Sequence, residues 1–587
     1  MPADRLSVNP GPVRASGRFA RVTARTTGWP VLWTALFVLL VVPTVSFLVL
    51  ALSPRLFGQG TQWFTLSAFA RAAQGATLRG MVDSVVVSTV AALSATAAAT
   101  GLAWAMQRTE LLGRRGWSIG IWAVLLMPSY MIAVGWQVVL GRGGVLAAMG
   151  LHSSGLDSLF FGPAGYVLVL AIKGVPFGYF ATAGPLAALG RTHEQAARVH
   201  GSGPAGAAVV AARALLPALL SSVVIVFAES MSDFGTAAVI APASNFPVAT
   251  YNLYAALANY PANFPVAAAI GWMLVASVVL ALAVQRRLVG GKSFAVAGGR
   301  ARFSPPRKLP TVPAFAVASA VAAFFAASLA VPAAGALLTS LLPPFARPSL
   351  SDLSFTAYSG VLGGSGLAGP VVLSLRMALV NATATLFVAA LVARRLSARR
   401  ATAAGALLDS ALLAAIALPA IVLAAGYIFA YNLPLVAALG VHLYGTLTLL
   451  GMAYMAVALP STSRVLMGPM SQVQDTTVAA ARVHGSGLVR AWTRGALPLV
   501  APSLLWAWLY TFATTFLELP ASEMLSPPGT KTVAVAIVQV FNKSDLIDGT
   551  ALSVVALAMD VAVIVAVLVA YRLAAPRGWA RVGARVL

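Results

Sequence analysis

The chain has 587 residues, of which 59% are hydrophobic and only 9% are charged, and its mean hydropathy is +0.87. A soluble protein carries about a quarter charged residues, so the composition excludes an ordinary soluble fold and predicts a chain surrounded mainly by lipid. The net charge of +24 comes from arginines in short loops between apolar runs, as in membrane proteins, so nucleic acid is excluded as a partner, and the lack of cysteine excludes disulfides and thiolate metal sites.

Residues 1–28 are predicted to form a basic cytoplasmic tail, with five arginines and a single acid, Asp4. An apolar run over about 29–52 follows it. This run is long enough to cross about 30 Å of hydrocarbon, and it is longer than the apolar core of a cleavable signal. We therefore expect an uncleaved membrane-spanning helix.

Apolar runs along the whole chain predict an all-α membrane protein with about twelve membrane-spanning helices, six in each half. In the first half, 29–286, the spans are expected at about 29–52, 82–106, 117–140, 165–189, 208–240 and 264–285. A basic cytoplasmic linker, 287–310, follows. In the second half, 311–574, the spans are expected at about 312–341, 371–393, 403–431, 445–467, 496–522 and 549–573, before a cytoplasmic tail, 575–587.

Basic residues in the loops predict the orientation of the chain. They follow spans two, four and eight, fill the linker and close the chain, so they fall on one side if both ends are cytoplasmic. On the other side, the loop at 241–263 has no charged residue, although the loop at 53–80 carries three arginines. Cytoplasmic loops are enriched in Lys and Arg, so we expect a multi-pass membrane protein with both termini in the cytoplasm.

The stretch Ala-Ala-Arg-Val-His-Gly-Ser-Gly occurs twice, at 196–203 and again at 480–487, which is an offset of 284 (480 minus 196). Each copy lies in a short arginine-containing break between two apolar runs. Such self-similarity at half the chain length predicts two homologous halves that carry the same polar element. The alternative is a pair of amphipathic turns in an arbitrary duplicated membrane protein.

The repeated stretch resembles the EAA loop of permease subunits in binding-protein-dependent ATP-binding-cassette importers. That pattern is Glu-Ala-Ala, three residues, Gly, and a Leu-Pro pair about a dozen residues later. Pro498 keeps the family spacing, whereas Pro217 lies three residues further on, which predicts about one extra turn in the first half. The place of the motif's acid is held by Gln195, beside Glu194, and by Ala479.

In that family the loop forms a short coupling helix that docks on the ATPase subunit. The resemblance implies this role for Glu194, Ala196, Ala197, Arg198, Gly201, Ala480, Ala481, Arg482 and Gly485. The arginines are expected to contact acidic residues of the ATPase. The glycines are expected to end the helix, because glycine accepts the left-handed conformation of a helix stop.

Three acidic residues inside apolar runs are the predicted substrate-pathway residues. Glu229 and Asp233 lie one turn apart on the fifth span, and Glu518 has the matching place in the second half. The local Asp-Phe-Gly-Thr and Glu-Leu-Pro-Ala sequences look like those of fused ferric-iron permeases, as does a Pro-Ser-Tyr at 128–130 with Trp136 after it. Carboxylates suit Fe(III), a hard cation. The alternatives are that they pair with Lys173, Arg376 or backbone groups and fix helix packing, or that they line an entry gate without touching substrate.

The resemblance implies the permease of an ATP-driven importer for ferric iron in the bacterial inner membrane, with two fused halves and no enzymatic activity of its own. The chain has no phosphate-binding Gly-rich loop, so we expect no cofactor in it, with ATP and Mg²⁺ held by a homodimeric ATPase partner. A periplasmic binding protein and membrane lipid are the other expected partners, and no resident metal site is expected. Thiamine, polyamine or aminoethylphosphonate stay open as substrates, and an ion-gradient-driven secondary transporter is the alternative class.

Overall fold

The computed structural model of the protein describes residues 28–574 apart from 142–143, 152–153, 190–191, 245, 290–305, 343–352, 364–366, 398–402, 417, 474 and 544. The predicted N-terminal tail (but for its last residue), the C-terminal tail and most of the predicted linker lie outside these residues. Regular structure in the described part is helical, with one isolated backbone bridge between Thr109 and Arg307. The predicted all-α class is confirmed.

The first half consists of membrane-length helices joined by short ones. Its helices are α1 (Gly28–Leu36), α2 (Val42–Leu50), α3 (Ser67–Ala72), α4 (Gly75–Arg108), α5 (Arg114–Leu126), α6 (Ser129–Leu140), α7 (Val145–Ala148), α8 (Ser154–Phe160), α9 (Pro163–Leu189), α10 (Thr192–Val199), α11 (Pro204–Ser232), α12 (Gly235–Ile240), α13 (Ala249–Ala258) and α14 (Phe264–Val289). A π-helix, Phe37–Val41, joins α1 to α2.

The second half follows the same order. Its helices are α15 (Thr311–Phe325), α16 (Val331–Ser340), α17 (Thr356–Gly363), α18 (Ala368–Leu396), α19 (Ala403–Ile416), α20 (Ala420–Ala430), α21 (Pro434–Ala438), α22 (Leu447–Gln472), α23 (Asp475–Val483), α24 (Leu488–Ala491), α25 (Leu497–Phe516), α26 (Pro520–Leu525), α27 (Val533–Asn542) and α28 (Leu546–Ala574). Two further π-helices, Ala326–Ala330 and Trp492–Ala496, precede α16 and α25.

Eleven helical segments of the described chain are long and apolar enough to cross a membrane. The pair formed by α19 and α20, bent by 105°, makes a twelfth if it counts as one crossing. The prediction of about twelve spans is therefore confirmed. Most of the predicted boundaries lie within a few residues of the helix ends, although α4 begins at Gly75 rather than near the predicted start at 82.

Two predicted spans are wrong in extent, because each is broken at an acidic residue. The span predicted at 208–240 divides into α11 and α12, and the span predicted at 496–522 divides into α25 and α26. Asp233 stands at the first break and Glu518 at the second. Each carboxylate accepts hydrogen bonds from the first N–H groups of the next helix, so the break is stabilised locally.

The third span of each half is broken at a proline, so the continuous helices predicted at 117–140 and 403–431 are also wrong. α5 ends directly before the pair Met127-Pro128, and α19 ends shortly before Pro419. The residue before a proline disfavours the helical conformation, which explains both breaks. In the first half Lys173 of α9 donates to the carbonyls of Leu125 and Met127 at 2.6 and 2.8 Å, so the open end of α5 is satisfied.

The first half contains no extra turn after its repeated stretch, contrary to the spacing of Pro217. α11 begins at Pro204 and α24 at Leu488, which is the same offset of 284 (488 minus 204) that relates the repeated stretches. Pro217 lies inside α11 rather than in its first turn, and its counterpart is Pro502 inside α25. The offset of this pair is 285 (502 minus 217), because the π-helix before α25 inserts one residue.

The two halves are interlocked through their first spans. α2 of the first half packs on α20 of the second, and α16 of the second half packs on α6 of the first. At both crossings a helical glycine touches a proline, Gly426 against Pro43 and Gly135 against Pro332. The close approach leaves no room for a Cβ at either glycine, as is common where helices pack in lipid.

Hydrogen bonds across these two crossings complete the interlock. Pro43 and Pro332 follow the π-helices and lack an N–H, so they leave carbonyls open on the preceding turn. In the first span Leu39 O and Val38 O accept from hydroxyls of α20 at 2.8 and 2.9 Å, and these belong to Tyr427 and Tyr431. The same kind of contact joins the other pair, where Trp136 Nε1 donates to Ala327 O at 3.1 Å.

Candidate functional site

The two copies of the repeated stretch form two short helices with the same end geometry, α10 and α23, which we call the repeat helices. Gly201 and Gly485 follow them with φ of +83° and +82°, so the predicted left-handed stops are confirmed. Ser202 N donates to Ala197 O at 2.9 Å, and Ser486 N donates to Ala481 O at 3.1 Å. This backbone pattern is the Schellman motif, which satisfies carbonyls at a helix end.

Exposure along the repeat helices also matches between the halves. Ala196 and Ala480 are exposed, whereas Ala197 and Ala481 are half-buried. Arg198, Arg482, His200, His484 and the two stop glycines are exposed as well.

A large apolar side chain projects from the end of each repeat helix. Val199 is 85% exposed and Val483 is 84% exposed. A single exposed apolar residue is common on a protein surface, but here the same residue is exposed at the same place in both halves. The sequence pattern did not draw attention to these valines, although they lie within the repeated octapeptide.

Different contacts hold the two repeat helices against the bundle. In the first half Arg108, at the end of α4, lies 3.9 Å from Glu194 and donates to Leu186 O at 3.1 Å. In the second half Arg394 donates to Val473 O at 2.9 Å. The position of Glu194 is taken there by the buried Val478. Glu194 therefore belongs to the support of α10, whereas the exposed face of both helices is the part that the halves share.

Asp233 and Glu518 hold equivalent positions, and both carboxylates face backbone groups. Asp233 Oδ1 accepts from Thr236 N at 2.8 Å. Glu518 is more fully engaged, since it accepts from Ala521 N at 2.8 Å and from Ser522 N and Oγ at 3.0 Å each. The structure thus gives both residues a helix-capping role, and contact with a substrate stays a prediction for them.

Glu229 differs from the other two acids. Its side chain is exposed, although it lies on the same helix as the half-buried cap Asp233. The charge of Glu229 acts on Lys173 of α9 and reaches Tyr510 of α25, which belongs to the second half. Glu229 therefore lies close to residues of both halves and has an accessible side chain.

The remaining acids of the spans have structural partners or are buried. Asp409 lies 2.8 Å from Arg464, and Asp83 lies 3.7 Å from Arg79. Asp560 of α28 is only 4% exposed, and its Oδ1 has no hydrogen-bond partner among the described residues. No group of three or more His, Asp or Glu side chains that could hold a metal ion lies in the described part of the chain.

One side-chain contact that the sequence did not indicate joins the halves beyond the broken spans. Tyr254 of α13 donates to Glu523 of α26 at 3.2 Å. Burial raises the pKa of the Glu523 carboxyl above its ordinary value, against the effect of this hydrogen bond. Only the arrangement of the two halves brings these residues together, because they lie 269 positions apart.

Comparison with known proteins gives one similarity. No protein-family model matches the chain. The ferric transport system permease protein FbpB of Actinobacillus pleuropneumoniae is 23% identical to it over 287 residues. The match covers 47% of this chain and 40% of that protein, so less than half of either chain takes part. The chain is thus a helical, multi-pass membrane protein with a distant similarity to a permease.

Proposed function

We propose that the chain is the permease of an ATP-binding-cassette importer and forms its translocation pathway. The observation that carries the proposal is the pair of repeat helices, which present the same exposed valine, arginine and histidine at corresponding places in both halves. A partner with two identical subunits would meet two identical surfaces. The distant similarity to a ferric permease supports this function.

The number of spans supports a common side for the two repeat helices. Between α10 and α23 the chain contains α11, α14, α15 with α16, α18, α19 with α20, and α22. These are six crossings if the bent pair counts as one. An even number returns the chain to the same face of the membrane. Both surfaces are then available to one ATPase dimer, which supplies the ATP and Mg²⁺ chemistry.

In this mechanism the permease changes conformation, the ATPase supplies the energy of ATP hydrolysis, and the binding protein supplies the substrate. Closure of the ATPase dimer moves α10 and α23, and with them the two interlocked halves. A periplasmic binding protein delivers the substrate from the other side. ATP can drive such a change only through a difference in affinity for the two states of the permease.

Cysteine labelling tests the placement of the repeat helices directly, because the chain has no cysteine of its own. We expect Val199→Cys and Val483→Cys to react with a membrane-impermeant maleimide from the cytoplasmic side only. They should also crosslink to the cognate ATPase. The matched control is Leu439→Cys. Leu439 is 73% exposed, and one membrane crossing, α22, separates it from α23, so its cysteine should react from the opposite side. Labelling of either repeat helix from outside would refute the proposal.

Ferric iron is the substrate that we propose, because the similar protein is a ferric permease and exposed Glu229 offers a hard oxygen ligand close to both halves. Asp233 and Glu518 stay candidate pathway residues beside their capping role. Stimulation of ATP hydrolysis by the cognate binding protein loaded with Fe(III), thiamine, a polyamine or aminoethylphosphonate identifies the substrate. Transport in liposomes without any ATPase would instead indicate a secondary transporter.

Replacing Glu229 with Gln tests the pathway. We expect iron uptake to be lost while the protein still assembles with its ATPase, because the helix contacts of α11 stay intact. Asp83→Asn is the control, since Asp83 faces Arg79 on its own helix. Full uptake by Glu229→Gln would remove this residue from the pathway.

A further inference from the structure

A groove of about 1020 Å³ lies between α4 and α11 of the first half. One wall is an exposed face of α4 that includes Leu93, Ala97 and Gly101, and the other wall is formed by alanines and leucines of α11. Repeat helix α10 and the end of the linker, at Arg307 and Leu309, border one end. The groove lies within one half rather than between the halves, so it is separate from the proposed pathway.

The corresponding helices of the second half can be aligned without ambiguity. Ser84 of α4 accepts a hydrogen bond from Ala249 N at the start of α13, and Ser374 of α18 accepts one from Val533 N at the start of α27, both at 2.8 Å. Ser84 and Ser374 are therefore equivalent, and the offset between α4 and α18 is 290 (374 minus 84). Residues that are buried along α18 correspond to buried residues along α4 in this register.

Large side chains stand in the second half where the groove has small ones. In this register Phe387 replaces Ala97, and Leu391 replaces Gly101. All four positions are exposed on their helices. At these two positions the first half has smaller side chains than the second, which leaves space along the groove for an apolar chain.

The facing wall shows the same difference. With the offset of 284 that aligns the repeat helices, Trp492 takes the place of Ala208, which lines the groove. Arg394 packs over the ring of Trp492 at 5.2 Å. Bulkier side chains thus stand on both helices of the second half at these aligned positions.

The end of the groove beside α10 is positively charged. Arg108, Arg198 and Arg307 line it together with one acid, Glu194, which leaves two positive charges (three minus one). Arg108 is the arginine that lies next to Glu194, whereas Arg198 and Arg307 are exposed. An apolar channel with a basic end matches an amphipathic anion, since basic pockets between membrane helices bind anionic lipid head groups.

We propose that this groove binds one anionic phospholipid, with an acyl chain between α4 and α11 and its phosphate at Arg198 and Arg307. The assignment of this lipid to the cytoplasmic leaflet rests on the proposed function, but the binding itself does not. The head group would lie against repeat helix α10. Lipid composition would then act on one of the two ATPase-docking surfaces and leave the other unaffected.

Native mass spectrometry of the purified full chain tests the proposal, after equilibration with vesicles of dioleoylphosphatidylglycerol or of dioleoylphosphatidylcholine. We expect the wild type to retain one phosphatidylglycerol that Gly101→Leu loses, because Gly101 lines the groove and the leucine side chain would occupy part of it. A Cβ at Gly101 meets no atom within 4 Å, so the variant should fold. Arg307→Gln should weaken retention of phosphatidylglycerol about fivefold and leave phosphatidylcholine unchanged.

The matched control is Gly184→Leu on α9, another exposed glycine with free space around it but outside the groove, which should retain lipid as the wild type does. Equal retention by Gly101→Leu and the wild type would overturn the proposal. So would equal retention of the two lipids, or a crosslink from Gly101→Cys to the linker or the ATPase. Because the ATPase is absent from the lipid measurement, failed docking of the repeat helices would leave this result standing.

Discussion

The acidic residues of the spans show how a carboxylate can persist in an apolar run. A buried charge is costly unless it is paired or hydrogen-bonded. Glu518 meets this requirement with three short hydrogen bonds from Ala521 and Ser522, and Asp233 meets it with one from Thr236. Both residues end a long helix and begin a short one, so their first effect is to set where the span stops.

We predict that Glu518→Ala is more destabilising than Asp233→Ala. Removal of Glu518 leaves two buried N–H groups without an acceptor, which lowers the free energy of unfolding by about 2–6 kcal/mol. Removal of Asp233 leaves one N–H group open and lowers it by about 1–3 kcal/mol. Thermal unfolding in detergent measures both. Exposed Glu110 provides the control, since Glu110→Ala should leave the unfolding temperature unchanged.

The conservative variant Glu518→Gln separates the cap from a substrate contact. Gln keeps one of the two acceptor oxygens that Glu518 offers to Ala521 N and Ser522 N, and it removes the charge, so a pure capping residue should lose some stability but retain iron uptake. Loss of uptake by a variant that is still folded at the assay temperature would instead place Glu518 on the pathway.

At the scale of the element, each repeat helix is terminated by one glycine. We predict that Gly201→Ala and Gly485→Ala each lower stability by about 1–2 kcal/mol and reduce ATPase stimulation, because alanine is strained at positive φ. Space does not limit either change, since a Cβ there meets no atom within 4 Å. Gly203→Ala and Gly487→Ala are the matched controls, with equal space and no positive φ. Wild-type behaviour of Gly201→Ala would mean that the stop is not needed.

The interlocking helices give a second prediction at this scale. A Cβ at Gly135 would overlap Pro332, and one at Gly426 would overlap the carbonyl of Pro43. Each alanine variant should cost about 1–3 kcal/mol, because neither neighbour can move without shifting a helix. Thermal unfolding of the purified protein is the measurement. Gly184→Ala and Gly468→Ala are the equivalent open positions of the two halves, and a loss at these sites as large as at Gly135 would contradict the explanation.

The sequence predicts the helices of this fold better than it predicts the breaks within them and the crossings between them. Hydropathy gives the helical class and the number of spans, because burial in lipid acts on every residue of a long run. The octapeptide that recurs at half the chain length predicts two halves and a short polar helix in each. The break at Asp233 is not visible in the same way, since its hydropathy is averaged with apolar neighbours. The contact of Trp136 with Ala327 depends on how helices from different halves cross, which no local pattern encodes.

The same distinction applies to the candidate site: residues with a local role could be predicted, whereas contacts between distant residues could not. Glycine stops follow from the chemistry of one residue type, so Gly201 and Gly485 could be predicted. Lys173, on which the charge of Glu229 acts, could be named only as one of two candidate cations, because distance along the chain does not give distance in space. The groove proposed to bind lipid could not be predicted, because it depends on how α4 and α11 pack against each other, which no local pattern encodes.

At the scale of the whole molecule, the hydrogen bond between Tyr254 and Glu523 joins the two halves and should break when they separate. We predict that Tyr254→Phe increases the population in which the halves are apart at this end, because the bond must break when they part. Distances between spin labels at Tyr260→Cys and Thr530→Cys, both exposed, measure this population by electron paramagnetic resonance. Tyr251→Phe, one turn earlier, is the control. An unchanged distance distribution in Tyr254→Phe would show that the bond does not restrain the halves.

The backbone bridge between Thr109 and Arg307 has a mechanical consequence. Arg307 N donates to Arg108 O at 2.9 Å, and Glu110 N donates to Arg307 O at 3.1 Å, so the chain is fastened to α4 only three residues before α15 begins. Three residues reach about 10 Å at most. This short connection therefore allows the two halves little relative movement beyond what the packing of their first spans already permits. If the chain is cleaved at a bond between 290 and 305, the two fragments should therefore stay together as one particle. The packing of α2 on α20 and of α16 on α6, rather than the cleaved peptide bond, holds the halves together.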